Sequence, residues 1–260
     1  LTRFRFPIGA GLLALIKLVL IVSLYNNPGL PVTKVNGPAY RALLLNVFWL
    51  SQEHQPVIEL VQQTEPDFIV FLEPTPPWML ALRTLEEAYP YSLAAVRPDP
   101  GSIALFSRIP LSQTRVLDFG VPERPVLTAQ LMLDSQPVTV VGLHPYPFAS
   151  RGVLKVAERQ QQLDGLARFL AARPNPVLVL ADLNFSPWSP LYRQLLANSG
   201  LRDARQGFGV QVTWPTNNPV LYMPIDFGLA SPDLVILNHE IGPNVGSDHL
   251  PVIIDFSLAK

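Results

Sequence analysis

The chain contains no cysteine. That removes a disulfide framework, a zinc–thiolate site and a thiol nucleophile together. Charge is also scarce: Asp, Glu, Lys and Arg make up 15% of the residues, against about 25% in an average soluble domain. No excess of either sign compensates, since the formal net charge is −1. Residues 1–30 carry Arg3, Arg5 and Lys17 and no acid. Removing those three from the 19 basic residues leaves 16 against 20 acids, about −4 for the remainder. A dedicated high-affinity nucleic-acid binder is expected to show a basic surface, and nothing that strong is present. Three motifs are missing as well: G-x-S-x-G, the P-loop and G-x-G-x-x-G. Without them a nucleophile elbow and the common nucleotide cradles lose support.

Apolar residues are plentiful, at 48% of the total, and so is proline, at 28 residues. Residues 8–25 read IGAGLLALIKLVLIVSLY, almost wholly apolar, with Lys17 as the one charge. A run of that length is near the lower limit for crossing a bilayer. Arg3 and Arg5 in front of it would keep the N-terminus cytoplasmic and place the domain beyond it outside. The segment also reads as a signal peptide or a buried core helix. The expected organisation is an N-terminal membrane anchor or signal segment at 1–30, a linker at 31–39 and one catalytic domain at 40–260.

Beyond residue 40, short apolar runs alternate with helical patterns. The spacing predicts strands at 42–48, 67–72, 102–106, 127–133, 138–143, 177–181, 225–229, 234–237 and 252–256. Most are continuous runs, as in strands covered on both faces. Helical patterns fall at 54–64, 77–88, 153–172 and 188–198. Two mixed sheets packed face to face with helices outside fit this order better than one parallel sheet.

Several of these apolar runs end in an acid, an amide or a histidine. Asn46, Glu73 and His144 each sit at the end of a run, Asp182 and Asn184 come after VLVLA, Asp226 lies inside MPIDFGLA, and Asp248 and His249 precede the last strand. Each has an ordinary use as a turn, cap or solvated strand end. A carboxylate inside an apolar run, however, is costly unless paired or metal-bound. Strand ends are where loops on a rigid sheet assemble sites. Oxygen donors without cysteine favour Mg²⁺, with Mn²⁺ or Ca²⁺ as substitutes, over zinc. Histidines beside acids suit proton transfer near neutral pH. Together they fit hydrolysis of a phosphate ester.

In order and identity these residues resemble the endonuclease/exonuclease/phosphatase superfamily, which includes pancreatic-type deoxyribonucleases, abasic-site endonucleases, neutral sphingomyelinases and inositol polyphosphate 5-phosphatases. The matching pieces are LNV at 45–47, FLE at 71–73, GLHPYP at 142–147, ADLNFSPWSP at 181–190, TWP at 213–215, PIDFGLAS at 224–231 and GSDHLPV at 246–252. The nearest likeness is to bacterial membrane-attached members. The resemblance implies an α/β fold, a four-layer α/β/β/α sandwich of two mixed β-sheets with outer helices. It implies Glu73 as principal metal ligand, helped by Asn46 and Asp248. It implies Asp182 and Asn184 on the attacking water and phosphate, Asp226 paired with His249, and His144 on the transition state or leaving group. Either Asp182 or His249 is the general base. Relatives carry His or Tyr after the aspartate where this chain has Phe227, and no acidic partner for His144 is evident. Arg108, Arg151 and Arg159 are candidate phosphate contacts, and Trp188 and Trp214 candidate cleft or packing residues.

The expected function is therefore divalent-metal-dependent hydrolysis of phosphodiesters, with DNA or RNA as default substrate. The alternatives are a membrane-proximal lipid or sugar phosphatase and a non-catalytic binding domain. Retention of the whole acid, amide and histidine set argues against the last. No protein partner is indicated; the membrane is the partner of residues 8–25.

Overall fold

The structure, a computed structural model, describes residues 38–150, 153–173 and 176–259. The expected anchor and signal segment, most of the linker, and Arg151 lie outside the described residues. Among the described residues no helix is long and apolar enough to cross a membrane.

In chain order the main elements are β1 (Tyr40–Asn46), α1 (His54–Thr64), β2 (Phe68–Leu72), α2 (Pro76–Leu82), β3 (Tyr91–Ala95), β4 (Ile103–Ser107), β5 (Leu111–Leu117), β6 (Val126–Leu133) and β7 (Gln136–Leu143). A short hairpin, β8 (Ala149–Ser150) with β9 (Val153–Leu154), precedes α3 (Val156–Ala171). Then come β10 (Val177–Asp182), α4 (Pro190–Ser199), β11 (Arg202–Asp203), β12 (Asp226–Ala230), β13 (Leu234–Ile241) and β14 (Val252–Leu258). One six-stranded sheet has the order β13-β14-β1-β2-β4-β3 and the other β11-β12-β10-β7-β6-β5. Each is mixed: β1 with β2 and β7 with β10 are parallel, and their other neighbours are antiparallel.

Strand alternation explains both the continuous apolar runs and the layers. Along β1, Ala42 and Leu44 enter the core between the sheets, while Leu43 and Leu45 face α1 and α2 with Val57, Val61, Trp78 and Leu82. Along β10, Leu178 and Leu180 face the other sheet, while Val179 and Ala181 face α3 and α4 with Leu166, Leu170 and Leu195. Both faces of each central strand are thus dry, and the four-layer α/β/β/α sandwich is the arrangement that hides them. The termini of α4 come from its sequence: the Ser189 hydroxyl accepts from the Leu191 N–H, Pro190 takes the first turn, and Gly200 ends the helix in the left-handed region.

Some elements differ from the sequence expectation. The second predicted helix stops at Leu82 and is followed only by a 3₁₀ turn over Arg83–Leu85. The third starts at Val156 rather than 153, because Val153 and Leu154 pair with Ser150 and Ala149. Strands β3, β5 and β11 have no counterpart in the prediction. All three are sheet edges, and β5 is exposed along most of its length, so no apolar periodicity marks it.

Two glycines let the sheets converge one pleat below the strand ends that carry the polar residues. A Cβ on Gly142 would lie 3.1 Å from both Ile103 Cδ1 and Val70 Cγ1, across the inter-sheet space. A Cβ on Gly228 would lie 2.1 Å from Ile254 Cδ1. Gly228→Ala is therefore expected to destabilise the protein by about 1–3 kcal/mol through overpacking. Adding Ile254→Val removes the obstructing methyl and should recover much of that loss. Urea midpoints of the two variants check it, and no recovery in the double variant would refute the steric account.

A buried ion pair braces the outer side of the second sheet. Arg205 Nη2 lies 2.7 Å from Asp203 Oδ2, the Tyr192 hydroxyl donates to the same oxygen, and the Arg205 guanidinium stacks 4.3 Å from the Phe227 ring. Burial alone would raise the Asp203 carboxyl, but Arg205 and the Tyr192 hydroxyl overcome it and hold it below the ordinary value. A depressed carboxyl contributes stability that is present above its unfolded value and lost as pH falls through the folded one. Asp203→Asn should flatten that acid limb of the stability–pH curve. Because it leaves Arg205 buried and unpaired, it should also cost about 3–5 kcal/mol at neutral pH. Urea titrations between about pH 3 and 7, a range set by the carboxyl values involved, read out both effects.

Candidate active site

The polar residues continue the inter-sheet face past its apolar part. In β1 the series Ala42, Leu44 ends at Asn46, and in β10 Leu178, Leu180 ends at Asp182. Asp182 stands directly opposite Asp226 in the β10–β12 pairing, so both carboxylates fall on one face. His144 comes just after β7 and Glu73 just after β2, at the same end. Here the sheets part into a cleft of 550 Å³ whose lining includes Asn46, Glu73, Arg124, His144, Asp182, Asn184, Asp248 and His249. Asp226 lies behind His249, so all eight residues picked out in the sequence meet at one place.

The distances are short. Asn46 Nδ2 is 3.3 Å from Glu73 Oε1 and 3.2 Å from Asp182 Oδ2. Glu73 Oε2 accepts from the Trp49 N–H at 3.1 Å. Asp182 Oδ1 accepts from the Asn184 N–H at 2.9 Å, and Asn184 Nδ2 donates to the Pro145 carbonyl at 3.1 Å. His249 Nδ1 is 2.9 Å from Asp226 Oδ2, and its Nε2 is 3.7 Å from Asp182 Oδ2. Asp248 Oδ2 accepts from Trp214 Nε1 at 3.1 Å, which places Trp214 in the site; Trp188 does not line the cleft. Phe48, Glu73 and Asn184 all have positive φ, at 59°, 64° and 56°. Left-handed backbone at three non-glycine residues around one cleft is strain of the kind that clusters at functional sites.

Burial sets the electrostatics. Glu73 is raised above its ordinary value by burial, against the Trp49 N–H, His249 and Asn46. Asp182 is raised to about 7, by burial first and by the Asp226 charge second. For His249 burial works against the charged ring, but Asp226 and Asp182 outweigh it and raise the group to about 10. An imidazolium between two carboxylates is a donor at neutral pH. His144 goes the other way: burial, then Arg124 and His249, lower it well below the ordinary value, with the Pro100 carbonyl opposing.

Sequence reasoning missed Arg124, which precedes β6 in ERPV and carries no motif of its own. It is buried, donates from Nη1 to the Pro100 carbonyl at 2.7 Å, lies 3.4 Å from His144 Nδ1 and stacks 4.5 Å from the Tyr146 ring. His144 Nδ1 thus faces the Arg124 guanidinium, and the Pro100 carbonyl lies on the same side. His144 Nε2 faces Asp182 Oδ2 at 3.4 Å and Glu73 Oε1 at 3.8 Å. The acidic neighbours of His144 are therefore Asp182 and Glu73 at Nε2, while Nδ1 faces Arg124. The Phe227 departure is resolved. Its ring turns to the outer face against Tyr192 and Arg205 and does not enter the cleft. Arg108 sits at the far end of β4 beside Tyr89 and Glu65. Arg159 is buried near Phe148 and Phe185 and does not line the cleft.

The donor set suits a hard divalent cation. Asp226 Oδ1 and Asp248 Oδ1 are buried without a hydrogen-bond partner, and Glu73 and Asp182 are buried carboxylates short of positive charge. Asp182, Asp226 and His249 also offer ligand atoms within 4.8 Å of one another, although Asp226 and His249 already bond each other. Asn46 fits the expected ligand role less well. It shows Nδ2, not oxygen, to the carboxylates, because Oδ1 accepts from the Phe48 N–H at 3.0 Å.

Comparison with known proteins agrees with this architecture. No curated protein matches the chain at a significant level. Among solved structures, an endonuclease/exonuclease/phosphatase from Bacteroides vulgatus superposes with a TM-score of 0.72 at 18% identity, over 85% of this chain and 100% of that one. D. rerio TDP2 complexed with a single-strand DNA product gives 0.69 at 15% identity, over 84% and 99%. Sphingomyelinase C from Streptomyces griseocarneus gives 0.63 at 17% identity, over 84% and 99%. At these identities the likeness establishes the fold alone. The sequence model of one family matches residues 43–249, which include strands of both sheets and every residue of the cleft named above, and the chain therefore belongs to the Endonuclease/Exonuclease/phosphatase family.

Proposed function

We propose that the protein is a divalent-metal-dependent phosphoesterase acting on phosphodiesters. The observation that carries the reading is the convergence of Glu73, Asp182, Asp226 and Asp248 with two imidazoles and one arginine in a single cleft. Glu73 and Asp248 would hold the cation, with Asp182 beside them, and Mg²⁺ is the ion such carboxylates favour. When bound, it supplies charge neutralisation at the phosphate oxygens. The chain's own residues do the rest. Asp182, its carboxylate aimed by the Asn184 N–H, takes the proton of the attacking water. His249, kept charged by Asp226, donates from Nε2 to a phosphate oxygen. His144 presents Nε2 beside Asp182 and Glu73, and Arg124 adds fixed positive charge on the same wall. In this reading the base is Asp182 rather than His249.

Nucleic acid is the first substrate to test, since a structural neighbour was solved with a single-strand DNA product. A lipid headgroup is the second, favoured by the neighbouring sphingomyelinase fold and by the apolar segment at 8–25. The purified full chain should hydrolyse plasmid DNA, an abasic oligonucleotide, phosphoinositides or sphingomyelin with Mg²⁺ and not with EDTA. Failure on all four with intact fold would sink the reading. Mg²⁺ at about a hundred times its dissociation constant should stabilise the wild type by about 2.7 kcal/mol. Glu73→Gln should abolish that gain, read as a thermal midpoint independent of turnover.

Arg124 gives a second prediction. Its guanidinium meets a carbonyl, an imidazole and an aromatic face at once, a combination that lysine does not reproduce. Arg124→Ala and Arg124→Lys should both lower kcat by about 10²–10³, the usual loss for a preorganised donor. A lysine variant with wild-type kcat would show that only the charge matters.

A further inference from the structure

TWP at 213–215 is a piece of the sequence resemblance to which the phosphoesterase reading gives no task. The segment around it ties two parts of the site together. The Leu250 N–H donates to the Thr213 carbonyl at 2.8 Å, and the Thr216 N–H donates to the Asp248 carbonyl at 2.9 Å. The Thr216 hydroxyl donates to the Ser247 carbonyl at 2.8 Å. On the other side, the Thr213 hydroxyl oxygen accepts from the N–H groups of Ile225 and Asp226 at 3.2 and 3.3 Å. Trp214 is fixed in turn by Met223, whose carbonyl accepts from the Trp214 N–H at 3.0 Å. The backbone around Asp248 is therefore pinned through Ser247, Asp248 and Leu250. What remains free at Asp248 is rotation about its two side-chain bonds.

Trp214 takes that freedom away. Its indole Nε1 donates to Asp248 Oδ2 at 3.1 Å. The other oxygen, Oδ1, is buried and meets no donor among the described residues. A carboxylate held by one oxygen and bare at the other is aimed. A buried lone pair left without a donor is costly unless something positive takes it. The chemistry of the donor matters as well. Indole offers one N–H, no acceptor and no charge. It orients the carboxylate without neutralising it, whereas an arginine or lysine in the same place would compete with a metal for the same charge. The Trp214 side chain lines the cleft, with its ring 6.3 Å from that of His249.

We propose that Trp214 is a positioning residue for the metal site: its indole N–H holds Asp248 so that Oδ1 is presented to the cation. This rests on the reading of Asp248 as a ligand of a divalent ion. Metal ligands depend on such outer hydrogen bonds for their orientation, and losing one costs about 10–100-fold in affinity.

The full-length wild type, Trp214→Phe, Asp248→Ala and the double variant are titrated with Mg²⁺ alone. Each thermal midpoint is followed relative to that protein's own metal-free value, so a loss of stability common to both states cancels. Trp214→Phe keeps an aromatic ring and removes the donor. It should raise the Mg²⁺ dissociation constant about 10–100-fold. In the Asp248→Ala background Glu73 is still present to bind, and titration at higher Mg²⁺ reads the constant. There the same substitution should change it by less than about twofold, because the group through which Trp214 acts is gone. A second measurement needs no substitution: in the wild type the indole N–H resonance of Trp214, one of four tryptophans, should move as Mg²⁺ saturates. An unmoved resonance, or an equal effect of Trp214→Phe in both backgrounds, would overturn the proposal. Unchanged Mg²⁺ affinity with a raised KM would overturn it too and make Trp214 a substrate contact. A wild type with no response to Mg²⁺ would reject the metal reading and the proposal together. A wild type that responds, matched by Trp214→Phe, would reject the proposal alone.

Discussion

Buried negative charge governs this molecule. Glu73, Asp182 and Asp226 sit almost wholly out of water with Asp248 beside them, and the one imidazolium between Asp182 and Asp226 cannot balance all four. An uncompensated buried carboxylate is among the more costly groups a fold can carry. The raised values of Glu73 and Asp182 express that cost directly. A divalent cation of the kind proposed above would supply the missing positive charge. Asp248 Oδ1 and Asp226 Oδ1, buried without partners, show the same deficit atom by atom.

The sheets make that deficit possible. Two apolar faces close on each other along the strands, tightly enough that a Cβ on Gly142 would press on Ile103 and Val70 and one on Gly228 would overlap Ile254 Cδ1. One pleat further on, the residues of the same faces are His144 and Asp226, and a few ångströms away are Asn46 and Asp182. The rigid dry core therefore ends abruptly in polar groups that hold one another in place. Positioning comes from the strands, and polarity from the last residue of each. The left-handed backbone at Phe48, Glu73 and Asn184 turns the chain out of the sheet while keeping these ends together.

Much of this is legible in the sequence, and the reason is physical. A strand covered on both faces is a continuous apolar run, so a polar residue that closes one is conspicuous. Asn46, Glu73, Asp182 and Asp226 all stand out in that way, and with them the sandwich. The hidden features lack that contrast. Edge strands β3 and β5 are half solvated and show no period. Arg124 lies just before β6, after Pro122 and Glu123, where an arginine reads as surface, yet it is buried against His144. Arg159 is hidden in the same sense: it sits on a polar helix turn, and only its stacking near Phe148 and Phe185 shows that it is buried. The ligand role of Asn46 is a subtler case, since the residue is where expected but presents its amide nitrogen.

The fold by itself does not choose a substrate, because the same sandwich is shared by a structure holding DNA and by a sphingomyelinase. Discrimination has to come from the surroundings of the shared site. The walls closest to the carboxylates are polar and, among the described residues, include a single arginine, enough for one phosphate and too few for a polyanion. A groove that tracks a nucleic-acid backbone needs positive charge continued along its length. Among the described residues the cleft lining supplies one such charge, Arg124.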